Sequence, residues 1–384
     1  MNKKTILVFV DWFWPGYLAG GPVQSITSLI SYLGETYNFK VVTSNHDLNT
    51  ANTYNGISSD LWTRSQLGCD VFYLSAGNTT VTQIRRLLVE TRADCIYINS
   101  FFSLYFSVLP LFLLKLMHVN TPVIIAPRGM LGSGALAIKK YKKQLFMFLA
   151  RLVGLHKNLI WHATSEQEGK EIELAVHSPR KTVIVQNLPK KLAPLRLCRK
   201  ERGQLSLCFV SRITYKKNLI FVTDILSGLS CNVDFKIYGP IEDKDYWEKC
   251  ITKLKNLPAN VKYEYEGPIN PNFISEVFAK SHVMVLPTHN ENFGHAIIEA
   301  LSCGCPVVIS DQTPWNDLES YKAGFAIPLR DKERFVEALL HYCEMDQADF
   351  DICRQNATFY VKEKIDVNSI VSQYKTLFDG CVNK

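Results

Sequence analysis

The stretch Leu286-Pro-Thr-His-Asn-Glu-Asn-Phe-Gly-His-Ala-Ile-Ile-Glu-Ala-Leu-Ser-Cys-Gly-Cys-Pro-Val-Val-Ile309 decides how this chain is read. An apolar run at 283–286 predicts a buried strand. A polar loop follows at 288–292, a helix opens near Phe293-Gly294 and closes at Gly304, and 307–309 returns as a strand. Two carboxylates frame that helix start: Glu291 in the loop and Glu299 about one turn inside. Free N–H groups at a helix start carry partial positive charge, and the side-chain-free Gly294 leaves them accessible, which suits a phosphate or a sugar hydroxyl. Glu299 can accept hydrogen bonds from a diol such as a ribose. Glu291 can reach a sugar beyond the phosphates.

Glu291 and Glu299 alone would describe any solvated acidic helix face. Their surroundings add more: Asn292-Phe293-Gly294 lies between them and Ala300-Leu301-x-x-Gly304-x-Pro306-Val307 follows. This string resembles the Glu-x7-Glu signature of the family-four retaining glycosyltransferases of the GT-B fold, of the kind that builds bacterial surface polysaccharides. In that family the first glutamate contacts the donor sugar and the second the ribose. The resemblance carries those roles to Glu291 and Glu299 and adds Asn292, Phe293 and Gly294 to the donor site; His295, which adjoins the Gly294 turn, is a further donor-site candidate.

Length and composition fit a two-domain enzyme. A chain of 384 residues exceeds the roughly 250–300 residues at which single cores stop growing, and 47% hydrophobic residues suffice for two cores. Eleven cysteines, an odd number without paired metal-ligand spacing, point to a reducing cytosol and not to a disulfide framework. Met1-Asn-Lys-Lys-Thr5 runs straight into the apolar 6–10 without the h-region of a signal peptide. The uncharged stretch 95–114 is not read as a membrane span, because Pro110 interrupts it and 101–114 is shorter than the ~20 residues a span needs. A buried strand followed by a buried helix is expected there.

Strand, loop and helix alternate along the chain, the pattern of doubly wound parallel sheets. Strand candidates lie at 6–10, 40–43, 71–74, 95–98, 123–126, 159–163 and 182–186, then at 205–210, 234–238, 261–265, 283–286 and 307–309. The basic, Pro-containing stretch 190–200 after Asn187-Leu188-Pro189 marks a boundary. Two Rossmann-like domains are expected: 1–188 on the acceptor side and 189–365 binding the nucleotide sugar. Ile370, Val371, Tyr374 and Phe378 recur at helical spacing, and family members send such a helix, here 366–384, back across the first domain.

Two further loops complete the expected donor site. Gly20-Gly21 precedes Pro22 at a helix start, where a ligand can approach the backbone. The spacing is not Gly-x-Gly-x-x-Gly, which argues against a dinucleotide oxidoreductase. It resembles the family's Gly-Gly loop facing the donor diphosphate or acceptor. Phe209-Val-Ser-Arg-Ile-Thr-Tyr-Lys-Lys-Asn218 places Arg212 and Lys217 just past a strand, at the carboxyl end where ligands bind in such sheets. This resembles the family's Gly-Arg-x4-Lys element, with Ser211 in place of Gly, in which both cations hold the donor diphosphate. Breaking a sugar–phosphate bond puts charge on the leaving diphosphate, so fixed cations are the main requirement. Arg212, Lys217 and Glu291 are the expected catalytic residues, with no metal and no cofactor. Asp243-Lys-Asp245 has the letters of a metal-binding Asp-x-Asp, but its place before a helical stretch reads as capping.

The segment 95–165 holds no Asp or Glu but eight Lys or Arg, which covers the chain's whole excess of +7. Lys139, Lys140, Lys142 and Lys143 open a helix with Leu145, Phe148, Leu149 and Leu152 on an apolar side. A basic amphipathic helix suggests an anionic membrane surface, and no base-stacking module speaks for nucleic acid. Arg128, after a strand, is expected to meet an acceptor or donor phosphate; many relatives place a His near this point and this chain does not. His162 is a further candidate, and Ser165-Glu-Gln-Glu168 has the capping-box pattern. The reading is a cytosolic, membrane-peripheral hexosyltransferase. It would use a nucleotide sugar and a lipid-linked saccharide acceptor in lipopolysaccharide O-antigen, capsule or exopolysaccharide synthesis. A nucleotide-sugar epimerase or phosphorylase of the same fold, or a non-catalytic nucleotide-sugar-binding protein, is the alternative.

Overall fold

Strands form where the apolar runs fall. The computed structural model describes residues 3–137, 139–176, 179–191 and 197–382; residues 192–196 of the expected boundary stretch lie outside them. The first sheet comprises β1 (Thr5–Phe9), β2 (Asn38–Ser44), β3 (Trp62–Arg64), β4 (Asp70–Leu74), β5 (Cys95–Ile98), β6 (Val123–Ile125), β7 (Ile160–Ala163) and β8 (Lys181–Ile184), in the order β3-β4-β2-β1-β5-β6-β7-β8. Only β3 runs antiparallel to its neighbour. Ile6, Leu7, Val8 and Phe9 of β1 are fully buried, as expected for a strand covered by helices on both faces.

The second sheet comprises β9 (Gln204–Val210), β10 (Asn232–Tyr238), β11 (Val261–Gly267), β12 (Val283–Leu286), β13 (Val307–Ser310) and β14 (Gly324–Ile327). All its pairings are parallel, in the order β11-β10-β9-β12-β13-β14. The chain divides into two compact units, Met1–Leu188 with Val367–Lys384, and Pro189–Asp366. Each is a doubly wound α/β unit, the class the alternation of strands and helices predicted.

In each sheet the strand order reverses at one place, between β1 and β5 in the first and between β9 and β12 in the second. Such switch points open a crevice beyond the carboxyl ends of the strands. The loops carrying Gly20, Arg212, Lys217 and Glu291 leave β1, β9 and β12 there.

Two expectations change, at 101–114 and at Glu168, and the apolar side expected on 140–152 faces solvent. Residues 101–114 do not form one buried helix: a π-helical turn at Leu104–Val108 leads into the helix Leu109–Leu116, whose first turn accommodates Pro110. Leu104, Tyr105, Phe112 and Leu116 are exposed. No helix among the described residues is long and apolar enough to cross a membrane. In the helix Lys140–Leu152, the side toward the core is Phe146, Met147 and Ala150, while Leu145, Phe148, Leu149 and Leu152 face solvent. Glu168 departs from the reciprocal capping box. Its backbone N–H donates to Ser165 Oγ at 3.1 Å, but its buried carboxylate accepts from Thr164 N at 2.7 Å and Gly129 N at 2.6 Å. It thereby fastens the loop after β6. The helix Val367–Val382 lies on the first unit, where the Phe378 ring meets Tyr37 and Tyr97 edge-on at 5.4 and 5.6 Å.

Candidate functional site

Two loops of the second unit converge because β9 and β12 are paired, Leu207 beside Val283. Past β9 the backbone stays close to its neighbour: Ser211 N donates to Tyr238 O at 3.0 Å. A Cβ at residue 239 would lie 1.8 Å from the Ser211 carbonyl oxygen, so Gly239 is required there. Arg212 leaves this strand end and pairs with Glu242 at 2.5 Å, both side chains about one-third exposed. A 3-10 turn, Tyr215–Lys217, then presents Lys217.

The loop after β12 is bolted onto that turn. His289 N and Thr288 Oγ1 both donate to Lys216 O, at 2.8 and 3.0 Å, and the His289 ring stacks on Tyr215 at 4.9 Å. Burial pushes the His289 pKa down. Ser310 Oγ and Gln312 O hold the loop from β13, through Thr288 O at 2.5 Å and Glu291 N at 2.9 Å. Glu291 and Lys217 form an ion pair, with side chains only 13% and 12% exposed. Two catalytic candidates separated by 74 residues in sequence thus touch.

The helix His295–Ser302 starts at Gly294, whose φ of 74° is the left-handed conformation that favours glycine. Phe293 is buried under Trp315, whose Nε1 donates to Phe293 O at 2.5 Å. Its ring also meets that of His295 at 4.8 Å. Asn292 lies half-buried between Glu291 and this anchor. One turn on, Glu299 is 6% exposed. Its carboxylate makes no side-chain hydrogen bond among the described residues. Burial raises its pKa to about 7, opposed by the charge of Lys190. Buried carboxyl groups ordinarily have partners, so Glu299 is an acceptor in want of donors. Two N–H groups of this helix start are already taken within it: Ile297 N and Ile298 N both donate to Gly294 O, at 2.9 and 3.1 Å.

In the first unit, Gly20 takes φ 69° at the N-terminus of the helix Gly21–Leu33, with open space where a Cβ would stand. The loop before it is clamped by the buried Asp47, whose Oδ2 accepts from Tyr17 N and Leu18 N at 2.7 and 3.0 Å. Arg128 is committed to its own unit: its guanidinium donates to Asn99 Oδ1 at 2.7 Å, Asn187 Oδ1 at 2.6 Å and Tyr97 OH at 2.8 Å, and Tyr374 also bonds to it. The expected phosphate contact therefore competes with four protein partners. His162 is buried between Tyr97 OH and Val185 O, at 2.7 and 2.9 Å. Burial, with Arg128 nearby, takes its pKa down to about 3, so it stays neutral. Asp243 does cap its helix, its Oδ1 accepting from Tyr246 N at 2.9 Å.

Sequence reading did not find the partners Glu242 and Lys190, the Tyr215–His289 stack or the Trp315 anchor. Each comes from a segment distant in sequence, and only Trp315, a lone tryptophan soon after β13, carries any local signal.

Known proteins share the fold that carries these loops. The model of the family described as Glycosyl transferases group 1 matches residues 199–358. An uncharacterized 41.2 kDa protein in the cps region of Klebsiella pneumoniae is 24% identical over 305 residues, 76% of this chain and 82% of that protein. Alpha-galactosylglucosyldiacylglycerol synthase of Streptococcus pneumoniae is 31% identical over 101 residues, 26% of this chain and 25% of the synthase. Among solved structures, Anabaena Alr3699/HepE in complex with UDP and glucose superposes with a TM-score of 0.72 at 15% identity, covering 98% of this chain and 100% of that one. WaaG, a glycosyltransferase involved in lipopolysaccharide biosynthesis, gives 0.65 at 14% identity, covering 98% and 100%. These likenesses establish the fold.

Proposed function

We propose that this chain, whose residues 199–358 match the model of the group 1 glycosyl transferases and whose fold is that of the GT-B glycosyltransferases, moves a hexosyl group from a nucleotide diphosphate sugar to a saccharide. The observation that carries this reading is Glu299, a buried carboxylate with no side-chain hydrogen bond among the described residues, in the helix that follows the loop of the Lys217–Glu291 pair. Ionised Glu299 accepts from the two ribose hydroxyls. The N–H groups after Gly294, with Arg212 and Lys217, hold the diphosphate, and Glu291 meets the donor sugar. Entry of the diphosphate exchanges the carboxylate partners Glu242 and Glu291 for phosphate oxygens on the two cations.

The C–O bond between the anomeric carbon and the diphosphate breaks as the acceptor oxygen bonds to that carbon, and the acceptor's proton passes to the leaving phosphate oxygen. Fixed cations stabilise the developing charge without a metal. Attack from the leaving group's own side retains the anomeric configuration. The relative from a cps region and the likeness to WaaG support a lipid-linked saccharide acceptor in surface-polysaccharide synthesis. HepE in complex with UDP-glucose supports a nucleotide sugar as donor.

Thermal-shift screening of the purified protein against nucleotide sugars tests the donor. Stabilisation by one of them, lost in Glu299→Ala, supports the reading; no stabilisation by any refutes it. Turnover of that donor without acceptor, to an epimer or a sugar phosphate, would point to the epimerase or phosphorylase.

A further inference from the structure

The helix Lys140–Leu152 carries two apolar faces although the core needs one. At about 100° per residue, Phe146, Met147 and Ala150 fall on the side that packs into the first unit. Tyr141, Leu145, Phe148 and Leu152 fall opposite, between 59% and 85% exposed. Lys140 and Arg151 border this stripe on one flank and Lys142 on the other. Four large apolar side chains in a line, edged by cations, form a surface made for an amphipathic boundary and not for water.

The stripe continues past the helix. Lys115, in the last turn of Leu109–Leu116, donates to the carbonyls of Val153 and Gly154. This ties the exposed Phe112 and Leu116 to the end of the stripe. Lys143, counted with the other lysines from sequence, turns inward: its Nζ donates to Ala135 O at 2.6 Å and lies 4.9 Å from the Phe102 ring centroid.

Charge selects what covers this face. The segment 95–165 holds eight cations and no acid, so the partner is anionic. A second copy docking through the same patch would set these cations against themselves. A bilayer of anionic lipid meets both demands, with headgroups for the cations and an acyl boundary for the stripe. We propose that the face made by Lys140–Leu152 and the end of Leu109–Leu116 docks on an anionic lipid bilayer. Tyr141, Leu145, Phe148 and Leu152 enter the acyl boundary, and Lys139, Lys140, Lys142 and Arg151 lie on the headgroups. This does not depend on the transfer reading.

Co-sedimentation of the intact chain with phosphatidylglycerol vesicles, against phosphatidylcholine vesicles, tests it. Binding should require the anionic lipid. Lys139→Gln, Lys140→Gln and Lys142→Gln together should weaken it about a hundredfold at low salt. Concentrated salt screens exposed charge, and the binding that survives it should vanish in Leu145→Ser, Phe148→Ser, Leu152→Ser. These positions lie outside the core, so circular dichroism should be unchanged, and transfer to a soluble acceptor should persist whether or not docking is lost. Equal sedimentation with both lipids, unchanged binding of the serine variant, or a dimer in sedimentation velocity that the serine variant dissolves would each overturn the proposal.

Discussion

Glu299→Gln keeps the side chain's shape and removes its charge, which makes it the sharpest probe of the donor site. Burial moves this carboxyl from its ordinary 4.5 to about 7, a penalty of roughly 3 kcal/mol on the ionised form. The folded state binds the proton more tightly than the unfolded chain. The stability linked to this group is therefore fully present below the ordinary carboxylate range and is lost as pH rises through about 7. Relative to Glu299→Gln, the wild type should lose up to roughly 3 kcal/mol between about pH 4.5 and about pH 8. Binding runs the opposite way. Only the ionised carboxylate can accept from both hydroxyls of a ribose. UDP affinity should then rise about tenfold more in the wild type than in the variant between about pH 6 and about pH 8; the variant corrects for titration of the nucleotide itself. Melting curves across pH and isothermal titration calorimetry with UDP read both effects. A melting difference that does not change with pH, or equal pH slopes of affinity in the two proteins, would remove Glu299 from the ribose site.

Arg212→Ala and Lys217→Ala should each leave a folded protein, by circular dichroism, with turnover lowered about 10²-fold or more; wild-type rates in both would remove the cations from the mechanism. Excess chelator should leave transfer intact, and activity lost in chelator but restored by manganese would favour metal chemistry. Gly294→Ala forces a Cβ into a φ of 74° and to 2.9 Å from Ile297 Cδ1, and should cost about 1 kcal/mol or more in urea unfolding while weakening UDP. A stability equal to the wild type's would show that the left-handed turn is not needed.

Much of the fold was legible because parallel strands covered on both faces are written as short unbroken apolar runs, such as Val283-Met-Val-Leu286. The two strands that escaped notice are sheet edges. β3, Trp62-Thr-Arg64, is three residues long, partly exposed and antiparallel. β14 opens on Gly324, which passes so close to its neighbour that a Cβ would stand 2.3 Å from Val307 O. The helix Lys140–Leu152 shows a different limit, since sequence periodicity found an apolar side but could not say that the core takes the other one. At the donor site, the helix start between Glu291 and Glu299 could be read locally. The Lys217–Glu291 and Arg212–Glu242 pairs could not, because strand order alone brings those segments together. In sequence Arg128 reads as a ligand contact because it follows a strand. Its left-handed backbone, φ 56°, instead turns it into a knot of Tyr97, Asn99 and Asn187.

Sugar transfer around Glu299, Lys217 and Arg212 would consume both a donor and an acceptor. Its most direct test is acceptor-dependent release of nucleoside diphosphate from the donor found by screening, with the anomeric configuration of the product read by NMR. Release should need both substrates, the product should retain configuration, and both signals should be lost in Glu299→Ala and Lys217→Ala. Release at the same rate without acceptor, or undiminished transfer by both variants, would contradict it.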